Sequence, residues 1–406
     1  MMARLKRFSA RRPAALRVLA VLPALALLPG CVTAPDGRAG GTAADRRTAA
    51  IQERNRVLFD YRLGATALRL GQDDEAKAKL DDAILSIGGI ITNDAQAAKA
   101  RSLFSAESNK PFIGEPYERV MAYYYRGILY WRDGQPDNAR ACFRSGQVID
   151  SDPQNQKFDA DYVLLEYLDG FASAKLGADG SDAYARAQKL AGPANPLPAY
   201  DTGANVLVFA EYGYGPRKYA GGEYGEQLRF AVNDSPSRSA RLVLDGGQRI
   251  VPLPAYDDLN FQATTRGGRV MDHILGNKAV FKSTTDVAGD VALFGAVVAA
   301  DAANRRRWEG QNTDAANAAA IGLGLLGVVG KIAAAATKTD ADTRQWDNLP
   351  QRLSFAALKL PPGRHPGRIE FLDRDGAVLE RRSRDILLEV PEGERDTVVF
   401  LSELKS

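Results

Sequence analysis

The sequence predicts an α+β protein with its helices first and its strands second. Three observations predict it. From Ile51 onward, small and bulky apolar residues recur at helical spacings. At Ala191-Gly-Pro-Ala-Asn-Pro-Leu-Pro198 the composition turns proline-rich, which a helix cannot continue. Beyond it, short β-branched and aromatic runs are split by Gly, Asp and Pro turns. The expected order is a helical domain over 51–190, a linker over 191–204 and a β-rich domain over 205–406.

The first thirty residues are expected to be a signal peptide. Arg4, Lys6, Arg7, Arg11, Arg12 and Arg17 make a positive leader without an acidic residue. Val18 to Leu28 is apolar apart from Pro23, and this run is shorter than the roughly 20 residues a spanning helix needs. It ends in Leu28-Pro29-Gly30-Cys31, which resembles the lipobox of bacterial lipoproteins. Pro29 departs from the small residue usual there. The resemblance implies cleavage before Cys31 and a lipid on that cysteine. Arg11-Arg12 is followed by Pro13-Ala14-Ala15, which lacks the apolar residues of a twin-arginine signal. Residues 31–50, rich in Gly, Ala, Thr and charge, are expected to be a flexible tether.

Export changes the charge argument. The chain holds 53 basic and 50 acidic residues, but six of the basic ones lie in the leader, so the remainder carries a net charge of −3. That is no footprint for nucleic acid. Of the two cysteines, Cys31 is expected to carry lipid, which leaves Cys142 unable to form a disulfide within the chain. Its place on an apolar helical face predicts a small core residue rather than a reactive thiol.

The helical half repeats. One unit reads Leu63-Gly64, Ala67, Gly71, Ala76, Leu80, Ala83; the next reads Tyr123, Gly127, Tyr130, Gly134, Ala139, Phe143, Gly146. A looser third reads Gly170, Ser173, Gly177, then Ala183 and Ala187. These spacings resemble the tetratricopeptide repeat, a helix-turn-helix unit of about 34 residues. Gly64 and Gly127 would let paired helices approach, and Gly71 and Gly134 would end first helices. Tyr123, Tyr124, Tyr125, Tyr130 and Trp131 are expected mainly in the interhelix core, with an aromatic left to line a peptide groove.

Strands are expected over 205–211, 227–232, 241–244, 249–253 and 260–265, then over 352–360, 368–372, 377–380, 385–390 and 396–401. Leu360-Pro-Pro-Gly-Arg-His365 looks like the turns of small β-sandwich modules. Between the two sets, 291–303 and 318–336 are Ala- and Gly-rich apolar runs, expected as a helical hairpin inserted over 287–337. Arg305, Arg306, Arg307 and Trp308 at its tip suit a membrane or self-association contact.

Catalytic chemistry is thin in this sequence. Gly322-Leu-Gly-Leu-Leu-Gly327 matches a phosphate-binding fingerprint, but no strand feeds it, so helix packing is the expectation. Asp257, Asp258, Asp272 and His273 have no known ligand spacing and are expected as a turn of solvated acids. The stretch Tyr212-Gly-Tyr-Gly-Pro-Arg-Lys-Tyr219 interleaves aromatics with cations, which suits stacking on bases or sugars, but an ordinary loop is favoured. No cofactor, metal or catalytic residue is expected. With two histidines, nucleophile–base pairs are hard to assemble; a carboxylate-only site remains open.

Together, the lipobox, the repeats, Gly114-Glu-Pro-Tyr-Glu-Arg-Val-Met-Ala-Tyr-Tyr-Tyr125 and the β-rich tail resemble a poorly characterised family of repeat-bearing lipoproteins of Gram-negative bacteria. The resemblance implies an envelope or secretion scaffold. Val32, not an aspartate, follows Cys31, which implies the outer membrane, facing the periplasm. The expected function is non-enzymatic: repeats hold a periplasmic or outer-membrane protein partner while lipid holds the complex. The hairpin is expected to pack on the β-domain, with a membrane or self-association contact, and so a homo-oligomer, as the alternative. The rival is an envelope enzyme acting on peptidoglycan through two carboxylates.

Overall fold

In the computed structural model, the residues described are 43–93, 110–150, 161–222, 227–233, 235–265, 341–393 and 395–404. Cys31, the hairpin 287–337 with Arg305, Arg306, Arg307 and Trp308, the glycine motif 322–327, Asp272 and His273 lie outside them. Arg47–Ser406 forms one compact unit. Seven helices occur among the described residues: α1 (Ala43–Arg69), α2 (Asp73–Asn93), α3 (Pro116–Arg132), α4 (Pro136–Asp150), α5 (Val163–Lys175), α6 (Ser181–Ala191) and α7 (Leu259–Thr265). The strands are β1 (Val206–Tyr212), β2 (Arg217–Gly221), β3 (Gln227–Ala231), β4 (Ser239–Leu244), β5 (Arg249–Leu253), β6 (Asp257–Asp258), β7 (Arg352–Leu358), β8 (Gly363–Leu372), β9 (Arg384–Val390) and β10 (Thr397–Ser402). The chain is mixed α and β, compatible with the α+β class.

The helices form successive pairs, and one contact recurs in them. A methyl group on Gly64 of α1 would come 2.9 Å from Leu80 Cγ of α2, and one on Gly127 of α3 would come 2.6 Å from Phe143 Cε1 of α4. The turn recurs too. Amides of Gln72, Gln135 and Ala178 donate to the carbonyls of Ala67, Tyr130 and Ser173, five residues back, at 2.8, 2.9 and 2.9 Å. The residue before each is a glycine at φ 71°, 76° and 76°. This is the Schellman ending, which needs a left-handed residue. Gly127→Leu is expected to cost about 1–3 kcal/mol, because Phe143 must move off its helix partner. Thermal unfolding by circular dichroism checks it; an unchanged midpoint would show that the contact is slack.

Two four-stranded sheets follow. One runs β10-β1-β7-β6, with β1 parallel to β10 and antiparallel to β7; the other runs β5-β4-β8-β9 and is antiparallel throughout. β2 and β3 make a separate hairpin. Strand β1 is buried along its whole length because both its faces are covered. Leu207 and Phe209 join the helices in one apolar cluster, whereas Val206, Val208, Ala210 and Tyr212 join the second sheet in another.

Two expectations change here. Residues 260–265, read as a strand, belong to α7. Leu259 and Ala263 are four apart and both buried, a helical period, and Asp258 Oδ1 accepts the amide of Asn260 at 2.8 Å to start the helix. Residues 377–380 make no strand beyond an isolated bridge of Val378 to Leu372. Asp373 there accepts the amides of Asp375 and Ala377, which holds a turn. The stretch expected as an interdomain linker is fastened to the helices: Tyr184 and Tyr167 donate to the carbonyls of Leu197 and Pro198, and Ala204 is buried.

Candidate functional site

The aromatic face of the helix stack is filled by the chain itself, so it does not stand open as the peptide groove expected from the sequence. Tyr124 and Tyr125 are fully buried and lie 6.3 Å from Phe209 and 5.9 Å from Phe400, ring to ring. Phe171 and Tyr167 meet Phe355 at 5.7 and 6.1 Å. Residues 341–349, without helix or strand and turning at 347–348, run beside α1. There Trp346 stacks on Tyr61 at 4.3 Å, Asn348 Nδ2 donates to Thr66 Oγ1, and Arg62 donates to the Gln345 carbonyl.

Two ion pairs lie inside this interface. Glu118, at the start of α3, accepts Lys218 Nζ at 2.5 Å, the Glu115 amide at 2.7 Å and the Trp346 amide at 2.7 Å. Both charged side chains are essentially inaccessible. Glu211 of β1 accepts Arg69 Nε at 2.7 Å, Tyr125 Oη at 2.6 Å and Ser402 Oγ at 2.5 Å. Burial, and then the Glu211 charge, hold the Tyr125 hydroxyl well above the ordinary phenol range. Each carboxylate joins segments distant in sequence, and its oxygens are engaged. These are structural junctions.

In the aromatic–cation stretch 212–219, Tyr214 and Tyr219 are exposed while Tyr212 and Lys218 face inward. Tyr212 is buried, with its hydroxyl donating to the Leu253 carbonyl, and Lys218 is spent on Glu118. Arg217–Gly221 is a strand that the sequence reading took for loop. Cys142 is buried, and burial pushes its thiol up to about 12, as expected of an inert core residue. His365, the one described histidine, lies in β8 opposite Leu388 and contacts the Pro361 carbonyl at 2.8 Å. Among the described residues, no group of three possible metal ligands occurs, and no helix is long and apolar enough to cross a membrane.

What remains is a cleft of about 470 Å³ at the start of α5, between the end of α6 and the approach to α7. Leu190, Pro196, Leu197, Pro198, Pro254, Tyr256 and Phe261 give it apolar walls. Asp161, Asp257 and Asp258 are its acidic residues, and none of its sixteen lining residues is Lys, Arg or His, although Arg352 lies 3.9 Å from Asp258 Oδ2. Such a cleft suits a cationic or neutral apolar segment and disfavours an anion.

Asp257 is not the solvated turn acid expected from the sequence. It is 6% exposed, and its two carboxylate oxygens accept the amides of Val163 and Leu164, each at 2.9 Å. A residue of β6 thus caps helix α5 about ninety positions away, satisfying amides that a helix start leaves bare. Burial pushes Asp257 up to about 7; the two amides pull the other way, and the charges of Asp161 and Asp150 add to the rise. Asp258 Oδ2 accepts Gln351 Nε2 at 2.8 Å.

The sequence reading missed Glu118, Lys218, Arg69 and Glu211. One signal was available: Glu211 sits in Val206–Tyr212, a run apolar on both faces, where an acid must be paired. Comparison with protein-family models, curated proteins and solved structures finds nothing that matches this chain.

Proposed function

We propose that this chain is a lipid-anchored, non-enzymatic interaction scaffold of the cell envelope, facing the periplasm from the outer membrane. We read 1–30 as its signal peptide, 31–50 as its tether, the helix pairs as tetratricopeptide-type repeats and the two facing sheets as a β-sandwich-like module. The observation that carries the reading is the glycine contact and the Schellman turn recurring along the helical half, behind a lipobox-like leader. Stacked helix pairs of that kind serve as rigid display surfaces. Because the aromatic face of the stack is taken by the chain's own sheet, the partner segment belongs in the cleft beside Leu190 and Tyr256. That partner is a protein segment with a cationic side chain between apolar ones.

Two measurements test this in intact envelopes. Cys31→Ala should abolish lipid labelling and shift the protein out of the membrane fraction; a variant that labels and fractionates like its parent would defeat the anchor. A photocrosslinker at Leu190 should give a discrete adduct that is missing when the crosslinker sits at Leu85, an exposed site on α2. The same pattern at both sites would sink the cleft assignment.

A second reading, an enzyme acting on peptidoglycan, is favoured by one observation: Asp257 is held up to about 7 beside Asp161 and Asp258 in this cleft. Against it, both Asp257 oxygens are occupied as a helix cap. Release of soluble muropeptides by the protein, lost in Asp258→Asn as well as Asp257→Asn, would establish the enzyme.

A further inference from the structure

We propose that the outer face of α1 lies on the surface of the bilayer that holds the Cys31 lipid, with Phe59, Leu63 and Leu70 seated among the headgroups. This inference rests on the lipid-anchor reading above.

Helix α1 is apolar on two opposite sides. Val57, Leu58, Tyr61, Ala65 and Leu68 are buried in the core. Opposite them, Phe59 and Leu63 are 42% and 46% exposed, and Leu70, one residue past the helix with its amide still donating to the Thr66 carbonyl, is 53% exposed. Their spacings of four and seven residues keep them within one narrow arc, since a helix turns once per 3.6 residues. A helix packed on a core by one side normally turns polar residues outward. Arg56 borders the arc with its side chain half exposed, and Arg46 and Arg47 precede it. Large apolar residues flanked by arginine suit the boundary between headgroups and acyl chains. No described helix can cross a membrane, so the contact is with its surface.

The tether says what covers this face. Only eleven residues separate Cys31 from Ala43, the start of α1. Fully extended, they reach about 40 Å, and as a coil about 20 Å. A compact body of this chain length is on the order of 50 Å across. The lipid therefore holds the folded unit against the bilayer, with α1 the nearest element in sequence. Tethering makes the bilayer an intramolecular partner at high effective concentration, an advantage that a second copy or a free protein lacks.

The test uses the full lipidated protein, one copy per nanodisc of phosphatidylethanolamine and phosphatidylglycerol. An environment-sensitive fluorophore is placed on Leu63→Cys. It reacts there alone, because Cys31 is blocked by lipid and Cys142 is buried. The expected result is emission several-fold brighter and bluer than from the same label on Leu85→Cys, 74% exposed on α2, together with quenching by brominated lipid. Adding Phe59→Glu and Leu70→Glu should remove most of that brightness while the protein stays on the disc. A dim, unquenched label at position 63 would overturn the proposal. So would a bright label that brominated lipid does not quench, which would place another protein on the face. Mass spectrometry of the N-terminal peptide separates the two levels. Absence of lipid on Cys31 overturns the anchor and this inference together; lipid present with an aqueous label overturns the docking alone.

Discussion

Glu118→Ala is expected to lower the stability of the protein by about 3–5 kcal/mol, the range for breaking a buried ion pair by removing one partner. The Lys218 ammonium would stay in the interior with a single carbonyl partner, that of Arg344, at 3.0 Å. The amides of Glu115 and Trp346 would lose their acceptor as well. The double variant Glu118→Ala/Lys218→Met should recover much of the loss, because it removes the uncompensated charge along with its partner. Urea unfolding followed by tryptophan fluorescence measures both. A loss below about 1 kcal/mol in the single variant would mean that water reaches the pair as it does a surface bridge.

Stability is expected to fall as pH rises from about 4 to 7, by an amount that Asp257→Asn removes. Burial pushes Asp257 up to about 7 in the folded chain, against about 3.9 in an unfolded one. Between those values the folded state keeps a proton that the unfolded state has released. The contribution is therefore complete below the lower value and lost as pH climbs through the upper one. Its slope within that window approaches about 1.4 kcal/mol per pH unit. Above pH 7 both states are ionised and the penalty is constant. Urea midpoints of the parent and of Asp257→Asn at pH 5 and pH 7.5 give the difference directly. A parent that tracks the variant across that range would show Asp257 ionised throughout, held by the two amides.

Legibility followed the range of the forces involved. Strand β5 was readable to the residue, and β1, β4, β7, β9 and β10 nearly so, because alternation and turn residues act within a few positions. Residues 260–265 misled because Phe261, Thr264 and Thr265 favour strands; the Asp258 cap and the burial of Leu259 and Ala263 decided for helix. The candidate cleft was barely legible. Its walls come from α5, from 190–198 and from 254–262, and nothing within any one of these stretches announces the others. Asp257 and Asp258 were noticed, but their surroundings were misjudged, because solvation is a property of what packs around a carboxylate.

By itself the sequence determined the expectation of a leader over 1–30, ahead of Cys31, and it marked where helices pair and where strands begin. Gly64 and Gly127 illustrate why: a missing side chain, a tight turn and the bulky Leu80 or Phe143 sixteen residues on form a local code, written in the same segment that obeys it. Only the tertiary structure decided that the aromatic face of the stack is filled from within, that Glu118 meets Lys218 a hundred residues away, and that Asp257 caps a helix instead of facing water. Charges and rings act on whatever the fold brings within a few ångströms, and chain topology, not sequence neighbourhood, chooses those partners.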